Sequence, residues 1–230
     1  MVYTLEPGAA QGFERHMLVW LAEPGWRAAL DAAPPEHRPA LKIWQGQNWP
    51  AIVRRYDAGA PPDDICLGLP LPPDDDTGQK IRVALRAHVG HISKAAPAIE
   101  LRAALRAAGE WRAPLAALER ECSGAGLDFR LYGSLAMQAL TGLLYLTPES
   151  DVDILFHPTT RKQLAEGLAV LSRHAKYLPL DGEIVFPGGL AVSWKEWQMA
   201  TANPAKVMVK RICSVWLADT ASLLATLKEA

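Results

Sequence analysis

Tyr132-Gly133-Ser134-Leu135-Ala136-Met137-Gln138-Ala139-Leu140-Thr141-Gly142 and, after a short loop, Ser150-Asp151-Val152-Asp153-Ile154-Leu155 are the segments that decide how this chain folds. A Gly-Ser pair opens a short helix, Ser134 to Thr141. Beyond it, two carboxylates stand one residue apart in an apolar, β-branched run. Side chains alternate along a strand, so Asp151, Asp153 and Leu155 share one face while Val152, Ile154 and Phe156 share the other. Successive positions on one face are about 7 Å apart, which lets both carboxylates reach a common pair of divalent ions.

The strand Leu127 to Tyr132 alternates cleanly and runs directly into Gly133. Glycine lets backbone approach a phosphate closely, and free amides at a helix start attract the anion. Asp151 and Asp153 offer the hard oxygen ligands that suit Mg²⁺. Two such ions clamp the attacking and leaving oxygens of an in-line displacement, which is the geometry of phosphoryl or nucleotidyl transfer. Bland roles compete: an isolated Asp-x-Asp is a solvated edge strand, and Ser134 can be a helix cap alone. Order and spacing together favour the metal and phosphate site.

The remaining chain bounds this picture. It has 230 residues, 50% of them hydrophobic and 21% charged, enough for a large domain or two small ones with full cores. The formal net charge of −1, without a basic block, argues against nucleic acid as a partner. Cys66, Cys122 and Cys213 are far apart and lack metal spacing, so they read as incidental thiols in a reducing compartment. Neither a signal peptide nor a membrane-length apolar run is evident. A cytoplasmic protein without membrane attachment is expected.

Residues 1 to 12 read as a loose lead-in. Strands are expected at His16–Leu21, Ala51–Val53, Ile65–Pro70 and Ile81–Leu85, with a helix from Trp26 to Ala33 stopped by Pro34-Pro35 and turns over Pro72–Gly78. Residues 1–94 thus form a small α/β domain, and 95–230 a second one. In that second domain a helix begins at Pro97 and stops at Gly109. Another starts near Pro114 with Leu115, Leu118 and Cys122 on one face. Thr160 to Gln163 matches a capping box before a helix carrying Leu164, Leu168 and Leu171. A hairpin follows: Leu180–Phe186 turns at Pro187-Gly188-Gly189 into a strand from Leu190 to Trp197. Val207–Ile212 and Val215–Leu217 are the last strands, ahead of a closing helix from Ala221.

Strand, Gly-Ser, helix, Asp-x-Asp strand, helix, strand resembles the nucleotidyltransferase fold shared by DNA polymerase beta and many small transferases. The expected class is therefore α/β (α+β), with a mixed sheet in the catalytic domain. That fold usually adds a third carboxylate on the next strand. Asp181 and Glu183 both qualify, because i and i+2 share a face. Glu183, inside the strand, is preferred over Asp181 near its start, with Glu196 a third candidate.

The resemblance extends beyond the fold. His16–Leu21, the Arg54-Arg55 segment, Leu67-Gly68-Leu69-Pro70-Leu71-Pro72, and above all Tyr132 to Gly142 with Tyr145-Leu146-Thr147-Pro148-Glu149-Ser150-Asp151-Val152-Asp153, resemble the malonate decarboxylase holo-(acyl-carrier-protein) synthase family. Its members are also called phosphoribosyl-dephospho-CoA transferases. Met137 departs from the pattern, in which an aromatic is frequent there. The resemblance implies transfer from 2′-(5″-triphosphoribosyl)-3′-dephospho-CoA to a serine of the acyl-carrier subunit of malonate decarboxylase, with diphosphate released. It implies that Asp151 and Asp153, with Glu183, hold Mg²⁺, that Gly133 and Ser134 hold the triphosphate, and that Glu183 or Asp181 is the base.

Other assignments stay open at this level. Gln138 and Thr141 follow Ser134 on the helix and either face the donor or pack. Lys210 is a candidate for the triphosphate. Arg54 and Arg55 are candidates for donor or carrier contacts, or plain surface; His16 and the tryptophans read mainly as packing residues. Two alternative functions compete with the transferase: another small Mg-dependent nucleotidyltransferase using an ordinary nucleotide, and a catalytically silent nucleotide-binding module.

Overall fold

Apolar runs punctuated by Pro and Gly build two separate sheets. A computed structural model describes residues 12–74, 77–202 and 205–229; the expected lead-in at 1 to 12 falls almost wholly outside them, as do two residues of the Pro72–Gly78 turn. The chain divides between Pro97 and Ala98 into two units.

The first unit runs β1 (Leu18–Leu21), α1 (Glu23–Ala32), α2 (Arg38–Gln47), β2 (Ala51–Val53), β3 (Asp64–Pro70), β4 (Arg82–His88) and β5 (Ile92–Ala96). Its five strands lie in the order β4-β3-β2-β1-β5, every neighbour antiparallel. Helix α1 packs on α2, β1 and β4. The buried side chains alternate, with Val83, Leu85 and Ala87 inward on β4 and Arg82, Arg86 and His88 outward. Two elements escaped the sequence reading. Helix α2 hides behind prolines that look like a stop, yet Pro39 occupies its first turn, where no amide is needed. Strand β5 is a polar edge, Ile92-Ser93-Lys94-Ala95-Ala96, without an apolar face to announce it.

The second unit runs β6 (Ile99–Glu100), α3 (Leu101–Ala104), α4 (Arg112–Gly124), β7 (Phe129–Leu131), α5 (Gly133–Thr141), β8 (Val152–Phe156), α6 (Arg161–His174), β9 (Leu180–Phe186), β10 (Leu190–Ser193), α7 (Trp194–Ala202), β11 (Lys206–Lys210), β12 (Val215–Asp219) and α8 (Thr220–Leu224). The sheet order is β12-β11-β10-β9-β8-β7-β6. Only β8 and β9 pair in parallel, with α6 as the crossover between them; the other neighbours are antiparallel. The mixed sheet and α/β class agree with expectation.

One face of this sheet carries the core. Val152, Ile154 and Phe156 on β8 cluster with Leu135, Leu164, Val170, Ile184, Phe186, Val192, Val207 and Val209. At Gly167 on α6, an added Cβ would lie 2.1 Å from the Phe156 ring, so helix and sheet meet there without a side chain between them. Thr160 caps α6 by accepting from the Gln163 amide at 3.1 Å, and Gln163 Oε1 reaches back to the Thr159 amide at 2.9 Å.

Two expectations need correction. The helix expected from Pro97 is interrupted: Ile99 and Glu100 pair with β7 as an edge strand, and only Leu101–Ala104 is α-helical. The strand expected to continue to Trp197 ends at Ser193. Trp194, Trp197 and Ala200 are all buried, a three-residue spacing that one helical face satisfies and an alternating strand does not. Glu196 consequently lies on a helix, where its Oε1 accepts from the Met208 amide at 2.7 Å.

Candidate metal-binding site

The opposite face of the seven-stranded sheet is polar where β8 and β9 meet. Parallel pairing sets Asp153 beside Asp181 and Leu155 beside Glu183. The strands approach closely because residue 182 is glycine. A Cβ there, at φ +127°, would sit 1.9 Å from the Ile154 carbonyl oxygen. With Asp151 just ahead of β8, three carboxylates converge: one oxygen each from Asp151, Asp153 and Asp181 lies within 4.8 Å of the other two.

The Gly-Ser turn abuts this group. The Tyr132 amide donates to the Asp153 carbonyl at 3.1 Å, holding the end of β7 against β8. Gly133 has φ +70°, and a Cβ on it would fall 1.8 Å from Asp153 Oδ2. Glycine is therefore required twice, for its backbone angle and for the carboxylate lying against it. Ser134 follows as the second residue of α5. Gly133 and Asp153 thus form one local structure.

The third carboxylate differs from the one preferred on sequence. Asp181, not Glu183, joins Asp151 and Asp153. Glu183 lies one pleat deeper, 5% exposed, and its Oε1 accepts from Lys210 Nζ at 3.0 Å. Register explains the pair: Glu183 opposes Ser193 on β10, and Lys210 on β11 opposes Ala191, so both side chains rise from the same face. A buried carboxylate needs such a counter-charge. Position within the strand was a poor guide, because both acids lie beside β8 and register alone sets Asp181 next to Asp153 and Glu183 next to Leu155.

Gln138 and Thr141, candidates for donor contacts, are committed within the fold. Gln138 Nε2 donates to the Ala107 carbonyl at 2.7 Å, while its Oε1 accepts from the amides of Tyr145 and Leu146 at 2.9 and 3.2 Å. Thr141 Oγ1 donates to the Met137 carbonyl at 2.8 Å and accepts from the Leu143 amide at 3.2 Å. Both hold the loop that leads from α5 to the Asp-x-Asp strand. Tyr145 in that loop is buried, and burial pushes its phenol well above the usual range. At the loop's end Ser150, also buried, accepts from the Thr147 amide at 2.9 Å and so fixes the entry to Asp151.

In the first unit, Arg54 makes a bidentate pair with Asp57 at 2.6 and 2.7 Å, and Arg86 adds a contact at 3.1 Å. These guanidiniums hold the Asp57 carboxyl well below the usual carboxylate range. Trp44, Trp194 and Trp197 are core residues, whereas Trp20 is half-buried beneath Lys94 Nζ, 4.4 Å from its ring centre.

Sequence reasoning missed Lys195. Its Nζ lies 3.3 Å from Asp181 Oδ1, placing a cation at the carboxylate group. Nothing in the local pattern signals this, since the contact depends on α7 beginning at Trp194.

The donor set is chemically coherent: three carboxylates, hard and oxygen-only, are the ligands that Mg²⁺ selects over softer sites. Two oxygens on one Mg²⁺ are separated by at most about 4.2 Å, so a spread within 4.8 Å closes by small side-chain rotations.

Comparison with known proteins places the chain in a family. Residues 14–98 match the family model of the phosphoribosyl-dephospho-CoA transferase MdcG N-terminal domain, and residues 98–221 that of the MdcG C-terminal domain. A phosphoribosyl-dephospho-CoA transferase of Xanthomonas campestris pv. campestris is 36% identical over 200 residues, covering 86% of this chain and 90% of that protein. One from Bradyrhizobium diazoefficiens is also 36% identical, over 213 residues and 89% of each chain. No solved structure matches the chain. With both domain models matched in order and relatives similar over nearly their whole length, the chain belongs to the phosphoribosyl-dephospho-CoA transferase MdcG family.

Proposed function

We propose that this protein is a Mg²⁺-dependent nucleotidyltransferase that moves 2′-(5″-phosphoribosyl)-3′-dephospho-CoA from its triphosphoribosyl donor to a serine hydroxyl on the acyl-carrier subunit of malonate decarboxylase. The observation that carries this reading is the convergence of Asp151, Asp153 and Asp181 beside a glycine whose backbone lies against Asp153. Family membership supplies the substrate class, and the strand–Gly-Ser–helix–Asp-x-Asp order supports a nucleotidyltransferase fold for residues 98–221.

In the proposed reaction the serine oxygen attacks the α-phosphorus of the donor. The new bond is a phosphodiester P–O bond; the bond that breaks joins the α-phosphorus to the departing diphosphate. The serine proton passes to a carboxylate at the site, with Asp181 the favoured acceptor, because Glu183 is engaged by Lys210. Gly133 and Ser134 present backbone to the donor phosphates at the start of α5. Asp151, Asp153 and Asp181 would hold Mg²⁺, which neutralises charge on the phosphoryl oxygens and leaving group.

The test is direct. Incubation with donor, Mg²⁺ and the apo carrier subunit should add the prosthetic group's mass to one carrier serine. Replacing outer-shell partners of a metal typically costs about ten- to a hundredfold, so Asp153→Asn and Asp181→Asn should each lose at least about a hundredfold in rate. Glu183→Gln should lose less than Asp181→Asn. An Asp181→Asn protein as active as the unaltered one would sink the assignment.

A further inference from the structure

The two lysines on the site face are held differently. Lys210 is paired with Glu183, an acid outside the metal-binding group, and that pair is set into the sheet with the Glu183 side chain 5% exposed. Lys195 is paired at 3.3 Å with Asp181, an acid inside the group, and its side chain is 53% exposed. The same Asp181 carboxylate is thus contacted by an ammonium and placed to coordinate a cation. A cation held by Asp181 weakens the attraction of that carboxylate for the ammonium.

We propose that Lys195 is a polyphosphate-binding residue that pairs with Asp181 and, when Asp181 takes up the metal, transfers to the donor triphosphate and then to the departing diphosphate. The proposal rests on the metal-site reading above and deepens it. Coordination withdraws electron density from Asp181 and sets a divalent charge beside the ammonium, so the ion pair weakens and like charges repel. Lysine carries its charge on a flexible four-carbon stem, and a compact ammonium binds phosphate oxygens as a point charge. An anion carrying several negative charges, bound at the same site, then offers the ammonium a partner of opposite sign. Lys210 cannot make this exchange without leaving the buried Glu183 carboxylate short of its counter-charge.

The proposal makes two effects of opposite sign. Exposed ion pairs contribute little, so removing the competing ammonium in Lys195→Met should tighten Mg²⁺ binding by about two- to fivefold. The same substitution should weaken inorganic diphosphate binding to the Mg²⁺-loaded protein by about tenfold or more, as loss of a charge-assisted hydrogen bond does. Calorimetric titration of the full chain with Mg²⁺, and then with diphosphate, reads both, with circular dichroism confirming that each variant is folded. Lys195→Arg retains the charge and should recover most of the diphosphate affinity. Lys162→Met, which deletes another exposed ion pair on α6 (3.8 Å to Glu166), should move neither quantity. Unchanged Mg²⁺ or unchanged diphosphate affinity in Lys195→Met overturns the role given to Lys195. Absence of Mg²⁺ binding by the unaltered protein overturns the metal site itself, a separate failure.

Discussion

At Gly133 a single missing methyl group makes room for a carboxylate. With φ at +70° and Asp153 Oδ2 lying 1.8 Å from where a Cβ would stand, Gly133→Ala must move either the turn or the acid. The backbone angle alone costs about 1 kcal/mol for a non-glycine residue, which a folded protein tolerates. Displacement of Asp153 matters more. Expected is a protein whose melting temperature falls by a few degrees but whose Mg²⁺ affinity drops by about ten- to a hundredfold, read by titration. Equal Mg²⁺ affinity in the variant would mean that Asp153 does not rest where the site requires it. Gly133 and Asp153 were legible in the sequence because each sits in a short recognisable segment, a strand-to-helix Gly-Ser turn and an Asp-x-Asp strand. Asp181, only two residues from the Glu183 first preferred, was not separable by any local rule.

At the scale of elements, Gln138 acts as a bracket. One side chain on α5 joins the Ala107 carbonyl to two consecutive amides of the loop that enters β8. Gln138→Leu keeps the size and removes all three bonds. With each worth about 1 kcal/mol net, the expected loss is roughly 2–3 kcal/mol in global stability. Amide exchange at Tyr145 and Leu146 should accelerate before that of β8, because the loop is released first. Unaltered exchange at those two amides would show that the loop is held by other means. The sequence placed Gln138 on the right helix, on a turn that follows Ser134, but a helix position does not say which neighbour it faces. The misplaced end of β10 has the same origin. Trp194 and Trp197 suit a strand by propensity, but both are buried in a helix, with Trp197 packed on the Phe186 ring.

Across the whole molecule the three thiols report on the two units. Cys66 is wholly buried in the first unit and Cys122 almost wholly in the second, whereas Cys213 is exposed. Burial pushes the Cys122 thiol up to about 12, so it stays protonated and unreactive at pH 8 in the folded protein. A thiol reagent such as Ellman's should therefore label Cys213 rapidly and leave the other two intact. In graded urea, Cys66 then reports the opening of the first unit and Cys122 that of the second. Mass spectrometry of the labelled peptides distinguishes them. Rapid native labelling of Cys122 would contradict the packing of α4 on its neighbours. No helix among the described residues is long and apolar enough to cross a membrane, in keeping with the absence of an apolar run in the sequence.

The sequence by itself determined the α/β class, the central strand–turn–helix–strand order, the capped α6 and the pair Asp151 and Asp153, since each follows from contacts within a few residues or from a repeat of two or 3.6. Tertiary structure alone decided that Asp181 completes the acidic group, that Glu183 belongs to Lys210, that Gln138 and Thr141 serve the loop, and that Lys195 reaches the site. Those outcomes depend on strand register, on where β10 gives way to α7, and on a glycine that lets β9 close against β8. Register and closure are set by the burial of one whole sheet face at once, and no window of local sequence contains that sum.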